Sequence, residues 1–309
     1  MDSVSLIICT YNPDAAIFSL CLQSIAQLNK PASLLEIIII DNNSDNGFKD
    51  QDYFLEFCKI YEPRIWVESQ QGLTPSRLRG IKEAKGDILL FVDDDNILNA
   101  DFLEQGEKIS HVFPFIGAWS GRVELRFEEQ PAPHLTPYLG LLVSREITEN
   151  YWSNLPHLAE TMPCGAGLYI RKEIARYYLE LHASGKRKIQ LDRTGKSLFS
   201  GGDNDLAACA CDLGLGVGVF HQLAITHYIP AFRVQMDYLL RLAKGIAAST
   251  AVLQSMRGRM PEALSVKNKL ADRIRMWIKS PVDRKFYAAV LEGRQEGALM
   301  VGSIQKSTN

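Results

Sequence analysis

Short apolar runs alternate with amphipathic stretches through the first hundred residues. "VSLIICT" (4–10), "LEIIIIDNNSDN" (35–46), "RIWVES" (64–69) and "DILLFVDDDN" (87–96) are rich in β-branched residues, end in polar turns and read as strands. Between them, "PDAAIFSLCLQSIAQLN" has helical spacing, with Ile17, Leu20, Cys21, Ser24 and Ile25 on one side. "QDYFLEFCKIY" predicts a second helix, and "TPSRLRGIKEAKG" a third, with Pro75 early and Gly86 after its end. Strands that alternate with helices imply right-handed crossovers and a mostly parallel sheet flanked by helices, a Rossmann-like α/β architecture.

Beyond residue 115 the pattern is less regular. "FIGAWSGRVELRF" predicts a strand and "EEQPAPHLTP" a proline-rich loop. "MPCGAGLYIRKEIARYYLELH" reads as strand or turn and then helix, and "GGDNDLAACACDLG" as a helix introduced by glycine. "GVGVF" and "AITHYI" predict two short strands. From about Ala231, "RVQMDYLLRLAKGIAASTAVLQ", "SVKNKLADRIRMWIKS" and "PVDRKFYAAVLEGR" predict three helices, with "GSIQKSTN" frayed at the end.

Composition narrows the class. A chain of 309 residues suffices for one large α/β domain or two smaller ones. A net charge of −2 gives no reason to expect nucleic-acid binding. Neither a signal peptide nor a transmembrane helix is expected, since the first residues lack a basic region and no apolar run reaches 18 residues. Cys9, Cys21, Cys58, Cys164, Cys209 and Cys211 form no CxxC pair, which favours free thiols in a reducing compartment over zinc or disulfides.

The polar clusters carry the chemistry. In a parallel sheet, ligands bind beyond the carboxyl ends of the strands. Thr10, Tyr11 and Asn12, then Asp41 to Asp45, then Asp93, Asp94 and Asp95 all fall at such ends, so three turns should converge on one cleft. Adjacent carboxylates repel, and magnesium or manganese, which prefer oxygen ligands, would use them. A solvated acidic loop accounts for the same triplet.

"ICTYN", "IIDNNSDN", "GLTPSRLRGIKEAKGD", "FVDDDN", "MPCGAGLYIRKE", "GGDNDLAACACDLG" and "THYIPAFRVQMDYLLRLAKG" occur in an order that resembles the family-two inverting glycosyltransferases with the GT-A fold, over roughly residues 3 to 248. The resemblance implies a GT-A domain over 1–230, with a nucleotide-binding half (1–100) and an acceptor-binding half (101–230), followed by a helical extension (231–309). It implies a hexosyltransferase-type enzyme that moves one sugar, with inversion, from a nucleotide-diphosphate sugar (a UDP-sugar) to a hydroxyl of a saccharide or lipid-linked acceptor. Bacterial polysaccharide or glycolipid assembly is the setting it suggests.

Residue by residue, the resemblance puts Thr10, Tyr11 and Asn12 at the nucleoside, Asp41 at the base, and Arg77, Asp93 and Asp94 at the donor. Leu78 stands where the family usually has asparagine. Asp95, with Asp93 and His227, would hold Mn²⁺ or Mg²⁺; a histidine with only a structural role is the alternative. Gly165, Ala166, Gly167, Gly202 and Asp205 would line the acceptor and sugar region, and Arg233 would help with the diphosphate. Asp203 would be the base that takes the acceptor proton, with helix capping as the other reading and Asp205 as the fallback. The family usually has Glu-Asp at this helix start, and here Gly202 replaces the glutamate.

Between Arg233 and Lys285, twelve basic residues face four acidic ones. Segment 265–285 fits either a peripheral helix at the inner face of an anionic membrane or a packed helix with a solvated basic face. The expected location is cytoplasmic. A nucleotidyltransferase lacks its basic glycine-rich loop here, and a nicotinamide dehydrogenase lacks GxGxxG after the first strand. A nucleotide-sugar-binding scaffold without turnover is the non-enzymatic alternative, with Gly202 in its favour.

Overall fold

The computed structural model describes residues 2–29, 34–195, 198–259 and 275–308. The alternating first third folds as β1 (Val4–Thr10), α1 (Ala15–Ala26), β2 (Leu34–Asp41), α2 (Asp52–Tyr61), β3 (Arg64–Val67), α3 (Leu73–Glu83) and β4 (Ile88–Asp93). β1 lies between β2 and β4, and β3 pairs with β2, all parallel.

Both faces of β1, β2 and β4 are covered, which explains why they read as continuous apolar runs, whereas edge strand β3 leaves Ile65 and Val67 exposed. Leu6, Ile8, Ile37, Ile39, Leu90 and Val92 join one core with Phe18 of α1 and Phe54 of α2. Ile7, Cys9, Ile38, Ile40, Leu89 and Phe91 join the other with Ile81 of α3. Each such side chain contributes roughly 1.5–3 kcal/mol when fully buried. At the start of α1, Asp14 accepts hydrogen bonds from the amides of Ala16 and Ile17 and holds the turn that follows β1.

Next come β5 (Asn96–Leu98), α4 (Phe102–Val112), β6 (Ile116–Phe127), β7 (Tyr151–Ser153), β8 (Leu168–Arg171), α5 (Lys172–Ala183), α6 (Gly202–Asp212) and β9 (Gly216–Ile229). The sheet runs β3-β2-β1-β4-β8-β6-β9-β5, with β7 also on β9. β8 is antiparallel to both β4 and β6, whereas β9 is parallel to β6 and antiparallel to β5. The two strands expected over "GVGVF" and "AITHYI" are one strand, β9. Its register against β6 jumps from Gly121↔Phe220 to Arg122↔Ala224, so the intervening residues bulge without ending the strand.

α4 was not anticipated from the sequence, although Phe102, Leu103 and Ile109 fall at helical spacing on its buried face; at Gly106 on the same face a Cβ would lie 2.3 Å from the Tyr169 ring.

The chain divides into two compact units. The first comprises 1–128, 142–186 and 203–229, and contains the whole sheet. The second comprises 129–141, 187–202 and 230–309. In the second unit, α7 (Met236–Met256) and α8 (Pro281–Thr308) pack against each other. A Cβ at Gly293 would lie 2.1 Å from the Lys244 carbonyl oxygen, and one at Gly297 2.5 Å from that of Ala248, so glycines let the two backbones touch. Tyr138 donates to Asp283 and stacks on Phe286, which ties the proline-rich segment to α8.

α8 continues through the terminal residues expected to fray. Of the basic segment 265–285, residues 265–274 lie outside the described residues; among the others, Trp277 is 84% and Ile278 76% exposed. Among the described residues no helix is long and apolar enough to cross a membrane. The six cysteines are free thiols, with Cys9, Cys21, Cys164 and Cys209 buried.

Candidate functional site

Strand register aligns the polar turns. Thr10 faces Asp41 across β1 and β2, and Cys9 faces Asp93 across β1 and β4. Thr10 Oγ1 then donates to Asp94 Oδ2 at 2.5 Å, which links the first turn to the fourth. The Cys21 thiol reaches the Asp93 carbonyl from beneath at 3.6 Å, and burial followed by the three carboxylates pushes that thiol well up.

Asn12 has a left-handed backbone (φ 47°). Its amide side chain donates to Asp45 Oδ1 at 2.8 Å and accepts from the amides of Asp45 and Asn46, so it braces the turn after β2. Tyr11 is half-exposed at the rim. Asp41 is fully buried; its Oδ2 takes a salt bridge from Lys49 at 2.6 Å and its Oδ1 accepts from the Ser44 amide at 2.8 Å. Burial acts to raise this carboxyl, but the hydrogen bonds from Lys49 and Ser44 outweigh it and hold the group below the usual range. Lys49 was not singled out by sequence reasoning, because a lone lysine in a turn carries no pattern.

Arg77 sits on α3 and is 4% exposed. The turn leading into α3 is fixed by Asn42, which donates to the Glu68 and Gln70 carbonyls and accepts from the Gly72 amide. Arg77 Nη2 lies 3.8 Å from Asp93 Oδ1. Burial pushes the Asp93 carboxyl up; Arg77 opposes this, Asp95 adds to it, His227 opposes it and Asp203 adds to it. All these groups therefore act on one place. Arg79, also on α3, pairs with Glu83 at 3.0 Å and lies 4.4 Å from the centre of the Trp66 ring.

β5 and β9 pair with Asn96 opposite His227, which brings His227 beside Asp95 although 132 positions separate them. His227 Nε2 is 3.3 Å from Asp95 Oδ2, and both side chains are largely buried. On the other side of the ring, Nδ1 faces the Leu142 carbonyl at 3.1 Å. A carbonyl only accepts, so Nδ1 carries a proton; Nε2 donates to Asp95 if it carries one too, or presents a lone pair that a cation shared with the carboxylate could use. Asn96 Nδ2 donates to Asp95 Oδ1 at 3.0 Å and orients the carboxylate. Among the described residues no set of three His, Cys, Asp or Glu forms a ready-made metal cage. Asp95 and His227 are the side chains that could hold a cation, which would need further ligands from outside this pair.

Asp203 stands in the first turn of α6. Its Oδ2 accepts from the Gly165 amide at 2.6 Å, and its Oδ1 from the Asn204 amide at 2.9 Å. A Cβ at Gly165 would lie 2.6 Å from Arg77 Nη2 and 3.0 Å from Asp203 Oδ2, so Arg77 and Asp203 meet over the "CGAG" turn. Gly167 has φ +66°, Ala166 is buried, and Asp205 is buried inside α6. Gly202 and Arg233 belong to the second compact unit. The guanidinium of Arg233 is 6.0 Å from the Phe232 ring centre.

Residues 5–119 match the family model described as Glycosyl transferase family 2. The match covers the amino-terminal part of the chain. Over 106 residues the chain is 33% identical to the mouse protein named Inactive polypeptide N-acetylgalactosaminyltransferase-like protein 5, covering 34% of this chain and 25% of the relative. Over 105 residues it is 34% identical to Glycosyltransferase AglE of Haloferax volcanii, covering 33% and 34%. The chain thus spans a quarter to a third of the length of these two relatives. A crystal structure of GalNAc-T7 with UDP, GalNAc and Mn²⁺ superimposes over 89% of this chain and 55% of that one, with a TM-score of 0.53 and 15% identity. The fold is GT-A: a mixed sheet flanked by helices, with a helical carboxyl-terminal region.

Proposed function

We infer that the protein is an inverting, metal-dependent glycosyltransferase that moves a single sugar from a UDP-sugar to a hydroxyl acceptor. The observation that carries this reading is the pairing of His227 Nε2 with Asp95 Oδ2 at 3.3 Å, with Arg77 beside Asp93, in a chain whose residues 5–119 match the family 2 model. A divalent cation held there would offset the charge that builds on the leaving diphosphate.

The chain's own residues account for the rest. The Arg77 guanidinium offers donors to the diphosphate. Asp203, oriented by two backbone amides, takes the proton of the acceptor hydroxyl. The acceptor oxygen bonds to the anomeric carbon as the bond from that carbon to the diphosphate oxygen breaks, so the configuration inverts and UDP leaves. Thr10, Tyr11 and Asn12 would border the nucleoside. Asp41, sealed under Lys49, would reach the base only through that neighbour or after it moves. "CGAG" would form the floor under the sugar.

Polysaccharide or glycolipid assembly at the inner face of a bacterial membrane fits the exposed Trp277 and Ile278 between the basic residues Arg275 and Lys279. Thermal unfolding with UDP, UDP-glucose and UDP-N-acetylglucosamine, each with and without Mn²⁺, tests the donor reading. A Mn²⁺-dependent stabilisation by at least one is expected. Release of UDP from the bound donor separates a transferase from a scaffold that only binds.

A further inference from the structure

α6 begins at Gly202, whose amide donates to Asp192 Oδ1 at 2.8 Å. A Cβ at position 202 would lie 2.1 Å from Asp192 Oδ2 and 2.5 Å from its Cγ. The Asp192 carboxylate therefore fills the space that a side chain at 202 would take. Asp192 is 5% exposed and has φ +76°, a left-handed backbone that an L residue adopts only where its surroundings hold it. Both residues lie in the same compact unit.

Ordinary capping would not need this arrangement. A helix start is commonly capped by the side chain of the residue just before it, and here that residue is Gly201, which has none. The acceptor comes instead from ten residues upstream, on a strained backbone. Its charge also suits the positive end of the helix. Segment 187–202 thus supplies the contact that holds Gly202, the first residue of α6.

We propose that Asp192 is a positioning residue for Asp203: its carboxylate stands in for the absent side chain at 202 and pins the first turn of α6. The inference rests on the transferase reading. A base must sit within hydrogen-bond reach of the proton it takes, and a misplacement of about 1 Å can cost roughly 100-fold in rate.

The test uses the full chain and follows UDP release from UDP-glucose, UDP-N-acetylglucosamine and UDP-N-acetylgalactosamine with Mn²⁺, alongside Mn²⁺-UDP binding. Glycine adopts φ +76° without strain, so Asp192→Gly removes the carboxylate and leaves the backbone in place. We expect kcat to fall at least tenfold with KM and UDP affinity unchanged within twofold. Asp192→Asn, which keeps an acceptor oxygen, should recover most of the rate. Gly202→Ala should collide with the carboxylate and lose rate on its own, yet add nothing in the Asp192→Gly background. A wild-type rate in Asp192→Gly, no recovery in Asp192→Asn, or losses that multiply in the double variant would each overturn the inference. A wild-type protein that binds Mn²⁺-UDP but releases UDP from none of the three donors would instead remove the transferase reading, and the inference with it.

Discussion

The amide of Gly165 donates to Asp203 Oδ2 at 2.6 Å, which fastens the "CGAG" turn to the first turn of α6. One oxygen of the carboxylate is fixed by each of two amides, so the group has a defined face for a substrate hydroxyl. Asp203→Asn keeps the shape and removes the basicity. It should bind UDP with Mn²⁺ as the wild type does and lose about 10²–10⁴-fold in transfer. Calorimetric titration with UDP and a UDP-release assay read the two separately; a normal transfer rate would mean that another group is the base.

His227 Nε2 and Asp95 Oδ2 are joined either by a proton or by a shared cation, and the two arrangements differ in what they respond to. With a cation between them, His227→Gln should weaken the Mn²⁺ dependence of UDP binding at least tenfold, about the scale of lost metal-site partners. With only a proton between them, UDP affinity would be insensitive to EDTA in both proteins. Binding measured with Mn²⁺ and after chelation decides.

Arg77 is buried between Asp93 and Gly165, so removing its charge leaves a carboxylate poorly compensated. Splitting a buried pair costs several kcal/mol, but Asp93 is 33% exposed and the separation is 3.8 Å. Arg77→Met should therefore destabilise the fold by about 2 kcal/mol. It should also weaken UDP binding more than Asp203→Asn does. Urea unfolding followed by titration of the variant checks both, and an unchanged unfolding midpoint would contradict the burial argument.

Acid sensitivity should trace to Asp41 and Glu36. Burial acts to raise each carboxyl, yet hydrogen bonds hold both low: Lys49 and Ser44 on Asp41, and the Lys85 amide, Arg64 and Ser5 on Glu36. A depressed folded-state value gives stability that is present above the unfolded carboxylate range, near pH 4, and lost as pH falls through the folded value. Asp41→Asn should cost about 2 kcal/mol at pH 7, and the gap to wild type should close as the pH falls below 4. Denaturant midpoints at pH 7 and pH 3.5 measure it. A gap that widens in acid would show that the sign is wrong.

The first third of the chain was legible because β1, β2 and β4 are covered on both faces, and edge strand β3 is still built of apolar and β-branched residues. Apolar periodicity alone therefore located β1 to β4 and α1 to α3. α4 was missed although Phe102, Leu103 and Ile109 mark a helical face; only its tight fit against Tyr169 at Gly106 needed the structure. β9 was divided in two because a bulge looks like a turn in sequence. At the site, the acidic turns stood out as charges where apolar runs stop. Lys49, Asn96 and Asp192 did not stand out, since each acts on a residue whose position only the folded backbone defines. Of these, Asn96 could have been found from its place directly after the acidic triplet.

The sequence by itself determined the alternating elements and the polar strand ends, because hydrophobic period and turn chemistry are local properties of a chain. Tertiary structure alone decided that His227 meets Asp95, that Arg77 and Asp203 converge over Gly165, and that Asp192 fills the space above Gly202. Those relations depend on antiparallel pairing of β5 with β9 and on contacts between distant segments. Sequence spacing carries no record of either, because packing, not local preference, fixes which distant side chains meet.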